Sequence, residues 1–227
     1  MRFFDFFAGI GGFRLGMEMA GHECVGHCEI DKYANMSYEA MHHPKKSEVF
    51  FNDIRTINAA DMPECECYCF GFPCQAFSIA GSRRGFADTR GTLFFEVMRL
   101  AKERQPQILF AENVAGLLNH DGGGTFRTII CTMAELGYSV EWQVLDSQNW
   151  VPQHRERVFI VGHLGGRCGR KVFPIRPNHQ EADGIEGHEI HNRVISNTLA
   201  GADRETIGTY VATDRQTDRQ TDRHFSR

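Results

Sequence analysis

The chain has 227 residues, 41% of them hydrophobic and 24% charged, which suits one globular α/β domain with part of a second. That length buries a sizeable core without disulfides or metal, no apolar run approaches the roughly 20 residues of a membrane span, and Asp5 stands where a secretory leader would be apolar, so a cytoplasmic protein with no membrane partner is expected. The net charge of −4 excludes nucleic-acid binding by bulk positive charge, although residues 151–176 hold six basic groups against Glu156 alone, a local basic surface. Eight cysteines in a reducing compartment read as free thiols.

Residues 2–7 form a short aromatic strand that runs into the glycine turn Ala8-Gly9-Ile10-Gly11-Gly12. A helix from Phe13 stops near Ala20. A second strand, 24–28, ends at Glu29, and Asp31 caps a helix that reaches about Met41. A third strand, 49–51, leads into Asn52-Asp53. Strand and helix alternate, so the fold class expected is α/β, a doubly wound and mostly parallel sheet.

Cys65, Cys67 and Cys69 alternate with Glu66 and Tyr68, which places all three on one strand face as small hydrophobes rather than as metal ligands. His188 and His191 lack a cysteine pair at zinc-site spacing, and no metal is assigned. Residues 75–90 form a long polar loop with Arg83, Arg84 and Arg90. A helix over 92–103 follows, closed by Gln105-Pro106. The strand at 108–111 ends in Glu112-Asn113-Val114. Gly122-Gly123-Gly124 opens a helix to about Leu136, and segments 138–145 and 157–161 form an antiparallel hairpin that closes the sheet. Past His163 no period is sustained. Residues 213–223 repeat Thr-Asp-Arg-Gln with no apolar face, the composition of a disordered tail.

Gly9-Ile10-Gly11-Gly12-Phe13-Arg14 fits only part of a dinucleotide fingerprint, because Arg14 holds the third glycine position. Glu29 strengthens the signal. It ends the second strand 20 residues after Gly9, where a carboxylate can accept both hydroxyls of a ribose. Asp53, at the third strand end, can meet an adenine amino group. These acids favour an adenosine-bearing cofactor without choosing between a nicotinamide dinucleotide and S-adenosylmethionine. Pro73-Cys74-Gln75 ends the fourth strand and Glu112 the fifth, where open α/β sheets place their ligands. A cysteine and a carboxylic acid converging there suggest covalent catalysis with proton assistance; a buried structural thiol is the alternative for Cys74.

Four motifs, Asp5-Phe6-Phe7-Ala8-Gly9-Ile10-Gly11-Gly12-Phe13, Gly71-Phe72-Pro73-Cys74-Gln75-Ala76-Phe77-Ser78, Glu112-Asn113-Val114 and Gln153-His154-Arg155-Glu156-Arg157, resemble in order and spacing those of DNA (cytosine-5)-methyltransferases. The resemblance covers about residues 2–163. It implies S-adenosylmethionine as cofactor, held by Phe7, Gly9, Gly12, Glu29, Ile30, Asp53, Ile54 and Leu93, with Ile30 standing where the family often has an aromatic. It implies duplex DNA with a flipped cytosine as substrate, Cys74 as nucleophile, Glu112 at cytosine N3, Arg157 helping to bind the flipped cytosine, and Arg155 supporting the site or a phosphate. Gln75, Ser78, Arg83 and Arg84 are expected on the loop that meets DNA, and Asn113 is expected to brace the Pro73-Cys74 turn. A monomer is expected, with a cognate restriction endonuclease as a further partner.

The resemblance divides the chain into a catalytic cofactor-binding domain at 1–165, a connector or the start of a target-recognition domain at 166–212, and a repeat tail at 213–227. The rest of the recognition domain and the family's last motif are not found after residue 163, so a shortened chain without sequence-specific methylation is expected. Thr-Asp-Arg-Gln is what ACA GAC AGA CAG encodes. A slipping four-base tract would leave His224-Phe225-Ser226-Arg227 as out-of-frame residues, whereas unrelated codons would make the tail a plain polar extension. Other readings are a transfer-RNA cytosine-5 methyltransferase, a non-catalytic remnant and, last, a nicotinamide oxidoreductase, which explains neither Pro73-Cys74-Gln75 nor the arginine motif.

Overall fold

The computed structural model describes residues 1–73, 93–165 and 172–176, and the backbone of 207–210. At its centre is β1 (Arg2–Phe6), buried after its first residue. It pairs in parallel with β2 (Glu23–Cys28) on one side and with β4 (Cys67–Gly71) on the other. Beyond β2 lies β3 (Val49–Phe51), and beyond β4 lies β5 (Ile108–Val114), both parallel to their neighbours. The expected hairpin is present: β7 (Glu156–Leu164) runs antiparallel to β5, and β6 (Tyr138–Asp146) runs antiparallel to β7.

Two points differ from the sequence reading. A short strand, β8 (Ile207–Tyr210), pairs antiparallel with β6, giving the order β3-β2-β1-β4-β5-β7-β6-β8. Cys65 does not share a face with Cys67 and Cys69. It precedes β4 and packs against the cluster containing Tyr68 and Phe70, whereas Cys67 and Cys69 join Phe3, Met17 and Cys24 on the opposite side. Alternation carries a face assignment only as far as the backbone is extended, and β4 begins at Cys67.

Helices cover both faces, as a parallel sheet requires. On one face α3 (Leu93–Arg104) buries Phe94, Val97, Met98 and Leu100, and α4 (Gly124–Glu135) buries Phe126, Ile129, Ile130 and Met133. Both pack on Phe4, Phe6, Tyr68 and Phe70, with Phe6 and Tyr68 edge to face at 5.1 Å. On the other face α1 (Gly12–Met19) sets Met17 into the smaller cluster and Phe13 against Phe110 at 5.0 Å. There α2 (Lys32–His42) starts where expected, with the Asp31 carboxylate accepting the Tyr33 and Ala34 N–H groups. Its Tyr38 stacks on His27 at 3.9 Å between ring centroids. Among the described residues, no helix is long and apolar enough to cross a membrane.

Candidate active site

The strand order reverses between β1 and β4: β2 and β3 lie to one side, β5 and β7 to the other. Open α/β sheets place their ligands at such a point, beyond the carboxyl ends of the strands, and here those ends carry the turn after Phe6 and, after Gly71, the turn that begins at Phe72-Pro73.

The first turn is built from left-handed backbone, with φ of 54° at Phe7, 56° at Gly9 and 88° at Gly11. A β-carbon at Gly11 would stand 2.2 Å from His42 Nε2 and push that ring aside, and the left-handed φ of 88° strains any larger residue there. Gly9 and Gly12 have open space where a β-carbon would be. Glu29 latches this turn to the next one: its Oε2 accepts the Gly9 N–H and its Oε1 the Asp31 N–H, both at 2.7 Å. Each oxygen keeps a further lone pair for a ligand. Ile30 is 60% exposed, and Ile54 is buried just past the third strand. Leu93 opens α3 and packs against the main core. Asp53 is already engaged. Its carboxylate pairs with the Arg55 guanidinium at 2.7 Å and accepts the Arg55 N–H, which hold it below the usual carboxylate range.

Arg14, which broke the dinucleotide fingerprint, has a structural occupation. Its guanidinium is 3% exposed and spans Glu48 at 2.6 Å and Glu18 at 3.0 Å, beside the Tyr38 hydroxyl. The third fingerprint glycine serves close helix–strand packing; here a buried ion pair takes that place.

The second turn is held from β5. Asn113 is 4% exposed. Its Nδ2 donates to the Phe72 carbonyl at 2.8 Å, immediately before Pro73, and its Oδ1 accepts the Val114 N–H. On the opposite face of β5, Glu112 pairs through Oε1 with Arg157 Nε at 2.7 Å. The register explains the meeting: Arg157 stands opposite Val114, so Glu112 is its diagonal neighbour. Arg157 Nη1 donates to the Glu156 carbonyl at 2.7 Å, which fixes the fork. Across β4, a β-carbon at Gly71 would lie 3.4 Å from Glu112 Oε2; the glycine leaves that oxygen its open side.

Arg155 is exposed and enters the site only through its backbone, whose N–H donates to Asp146 Oδ1 at 3.0 Å. Asp146 also accepts the Gln148 N–H at 3.0 Å and pairs with His154 at 2.6 Å, contacts that hold its carboxyl below the usual range. It organises the 147–155 turn from both ends, a role absent from the sequence reading, although an acid ahead of Ser147 is a recognisable turn-capping signal. Cys74, Gln75, Ser78, Arg83 and Arg84 lie outside the described residues, as do the tail and most of 166–212.

Solved structures share this architecture. The S. pombe Dnmt2 methyltransferase superposes with a TM-score of 0.57 at 24% identity, covering 73% of this chain and 51% of that one. The Entamoeba histolytica methyltransferase EhMeth gives 0.60 at 18% identity, covering 87% and 65%. The doubly wound sheet is thus a fold these two chains share. The chain belongs to the C-5 cytosine-specific DNA methylase family, which it matches over residues 1–223. It is 46% identical over 162 residues to the Type II methyltransferase M.HhaI of Haemophilus parahaemolyticus, covering 71% of this chain and 48% of that protein. It is 45% identical over 199 residues to the Type II methyltransferase M.NlaX of Neisseria lactamica, covering 86% and 63%. The chain spans about half the length of several of the curated relatives it matches.

Proposed function

We propose that this chain is the catalytic part of an enzyme that transfers a methyl group from S-adenosylmethionine to C5 of cytosine in duplex DNA, of the kind paired with a restriction endonuclease. The observation that carries this is the Glu112–Arg157 pair at the strand crossover, on the strand whose Asn113 holds the Phe72 carbonyl, two residues ahead of Cys74 in the sequence. The first turn fits the cofactor. Gly9 and Gly12 leave room at the backbone, Glu29 has lone pairs free for ribose hydroxyls, and Phe7, Ile30, Ile54 and Leu93 supply apolar contacts. Asp53 would reach an adenine amino group only by sharing the carboxylate that Arg55 holds. A bound S-adenosylmethionine would supply an electrophilic methyl group. The absence of a pyrophosphate-type fingerprint at Arg14 speaks against a dinucleotide.

The residues then divide the work. Cytosine C5 is a poor nucleophile, so the Cys74 thiolate first adds at C6 of a base flipped out of the duplex. Glu112 donates a hydrogen bond or proton at N3 through Oε2, while Arg157 on Oε1 keeps the carboxyl aimed. The electron pair released onto C5 would take the methyl group as the S–CH3 bond of the donor breaks and its pair returns to sulfur. Water then takes the C5 proton, the C–H pair re-forms the C5–C6 double bond, Cys74 leaves as thiolate and N3 returns its proton to Glu112. Gln75, Ser78, Arg83 and Arg84 face the DNA, and Arg155, exposed on its turn, meets a phosphate. Residues 1–165 form the catalytic unit and 166–212 lead toward the recognition segment, with β8 returning to the sheet.

With the full-length protein of this locus, duplex DNA carrying 5-fluorocytosine is expected to be trapped covalently, because fluorine cannot leave as a proton does. Cys74→Ser is expected to abolish trapping with the circular dichroism spectrum unchanged. Trapping that survives the substitution names another nucleophile, and trapping of RNA instead of DNA names another substrate. Glu29→Ala is expected to weaken S-adenosylmethionine binding by roughly 1–3 kcal/mol, the loss of hydrogen bonds to a charged group. Titration calorimetry reads this directly, and an unchanged affinity reduces Glu29 to a latch between two turns.

A further inference from the structure

We infer that the DNA encoding residues 213–223 is an uninterrupted ACAG tract whose slippage sets the reading frame of everything downstream of it. The chain reads Thr213-Asp214-Arg215-Gln216, then the same four residues again, then Thr221-Asp222-Arg223. A peptide that repeats every four residues repeats every twelve bases, and a four-base unit read in triplets returns to register after that interval.

The genetic code then leaves a single four-base solution. Thr fixes the first two bases as A and C. Asp, read across the unit boundary, fixes the fourth as G. Gln, read from the second base to the fourth, fixes the third as A. The remaining codon is thereby AGA, which does encode Arg. One unit satisfies all four codons. Far fewer four-base units exist than four-residue peptides, so only a small minority of peptide repeats can be written this way. His224 continues the tract by two more bases, CA, before its third base departs from the unit.

Every frame through such a tract reads the same Thr-Asp-Arg-Gln cycle and meets no stop codon. Gain or loss of one unit shifts the frame by one base and leaves the peptide pattern unaltered. Loss of three units removes one peptide repeat and restores the frame. The place of the tract in the fold gives this a consequence. The last described strand, β8, ends at Tyr210, and the repeat begins at Thr213. All frames therefore share the entire eight-stranded sheet, with Glu29, Glu112 and Arg157, and differ only in the residues encoded beyond the tract. The switch sits at a joint, and it holds whatever chemistry Glu112 performs.

The gene itself is the test. Codons 213–223 are expected to read as ACAG without interruption, and any other synonymous choice, such as ACT for Thr or CGT for Arg, overturns the inference. Cultures grown from single colonies are then sequenced deeply across the tract, for the natural gene and for one recoded with unrelated codons for the same peptide. The natural gene is expected to show length classes spaced by whole four-base units, a reporter fused downstream changing frame with them, and the recoded gene is expected to lose both. Equal length variation in the two genes, or none in either, overturns the inference.

Discussion

Glu112→Gln is expected to lower the single-turnover rate of methyl transfer by roughly 10²–10⁴-fold, the usual worth of a positioned general acid, with little change in cofactor affinity. The amide keeps the shape and the contact with Arg157 but cannot deliver a proton to cytosine N3. Arg157→Ala acts on the same bond from the other side, since it frees a carboxylate now fixed at 2.7 Å. If the pair works as a unit, the double substitution costs scarcely more than the worse single one. Tritium transfer under single-turnover conditions measures all three. Additive losses would mean that Arg157 binds DNA or base independently of Glu112, and a Glu112→Gln rate near that of the native protein would remove the carboxyl from the chemistry.

The strand ends are legible in the sequence because each carries a change of residue type at the point where hydrophobic alternation stops. Glu29 after Cys28 is an acid set at the limit of an apolar run, and in a parallel sheet such limits fall on one edge. Glu112 likewise follows an apolar run, but β5 continues past it to Val114 because Asn113 and Val114 still pair with β7. Asp31 is legible as a cap for the same reason, a side-chain acceptor placed one residue ahead of a helix. The Glu112–Arg157 contact is not, since it depends on the antiparallel register of β5 and β7, and sequence periodicity is blind to register. Nor is β8 legible. Four residues are too few for a period, and its pairing with β6 is a matter of backbone. Cys65 escapes the alternation of its neighbours because the extended backbone begins only at Cys67.

Asp5 lies in plain view between Phe4 and Phe6, yet nothing in the sequence reveals its burial. It is fully buried, and neither carboxyl oxygen has a hydrogen-bond partner among the described residues. Burial pushes its pKa up to about 8; the dipole of the Arg14 N–H, which is not aligned to hydrogen-bond, and the Arg14 charge oppose this, and Glu29 adds to it. The neighbouring Cys24 thiol is pushed up to about 11 by burial, and Tyr38 is raised as well, so both stay neutral across the same range. Unfolded, Asp5 titrates at ~3.9. The folded state thus binds the proton more tightly, and this group's contribution to stability is fully present below about pH 4 and declines as pH rises toward and through about 8. The accumulated cost at pH 7 has a ceiling of about 4 kcal/mol, because each pH unit above the unfolded pKa costs about 1.36 kcal/mol. His27 works in the opposite direction, because burial lowers its pKa and its contribution is lost as pH falls. Asp5→Asn keeps the neutral shape and cannot ionise, and comparison with the native protein cancels the His27 effect. Urea unfolding is therefore expected to show the variant more stable by up to a few kcal/mol at pH 8, by about 1.5 kcal/mol at pH 5, and nearly equal to the native protein below about pH 4. Parallel pH profiles for the two proteins would show that Asp5 is ionised in the fold and that a partner for it exists outside the described residues.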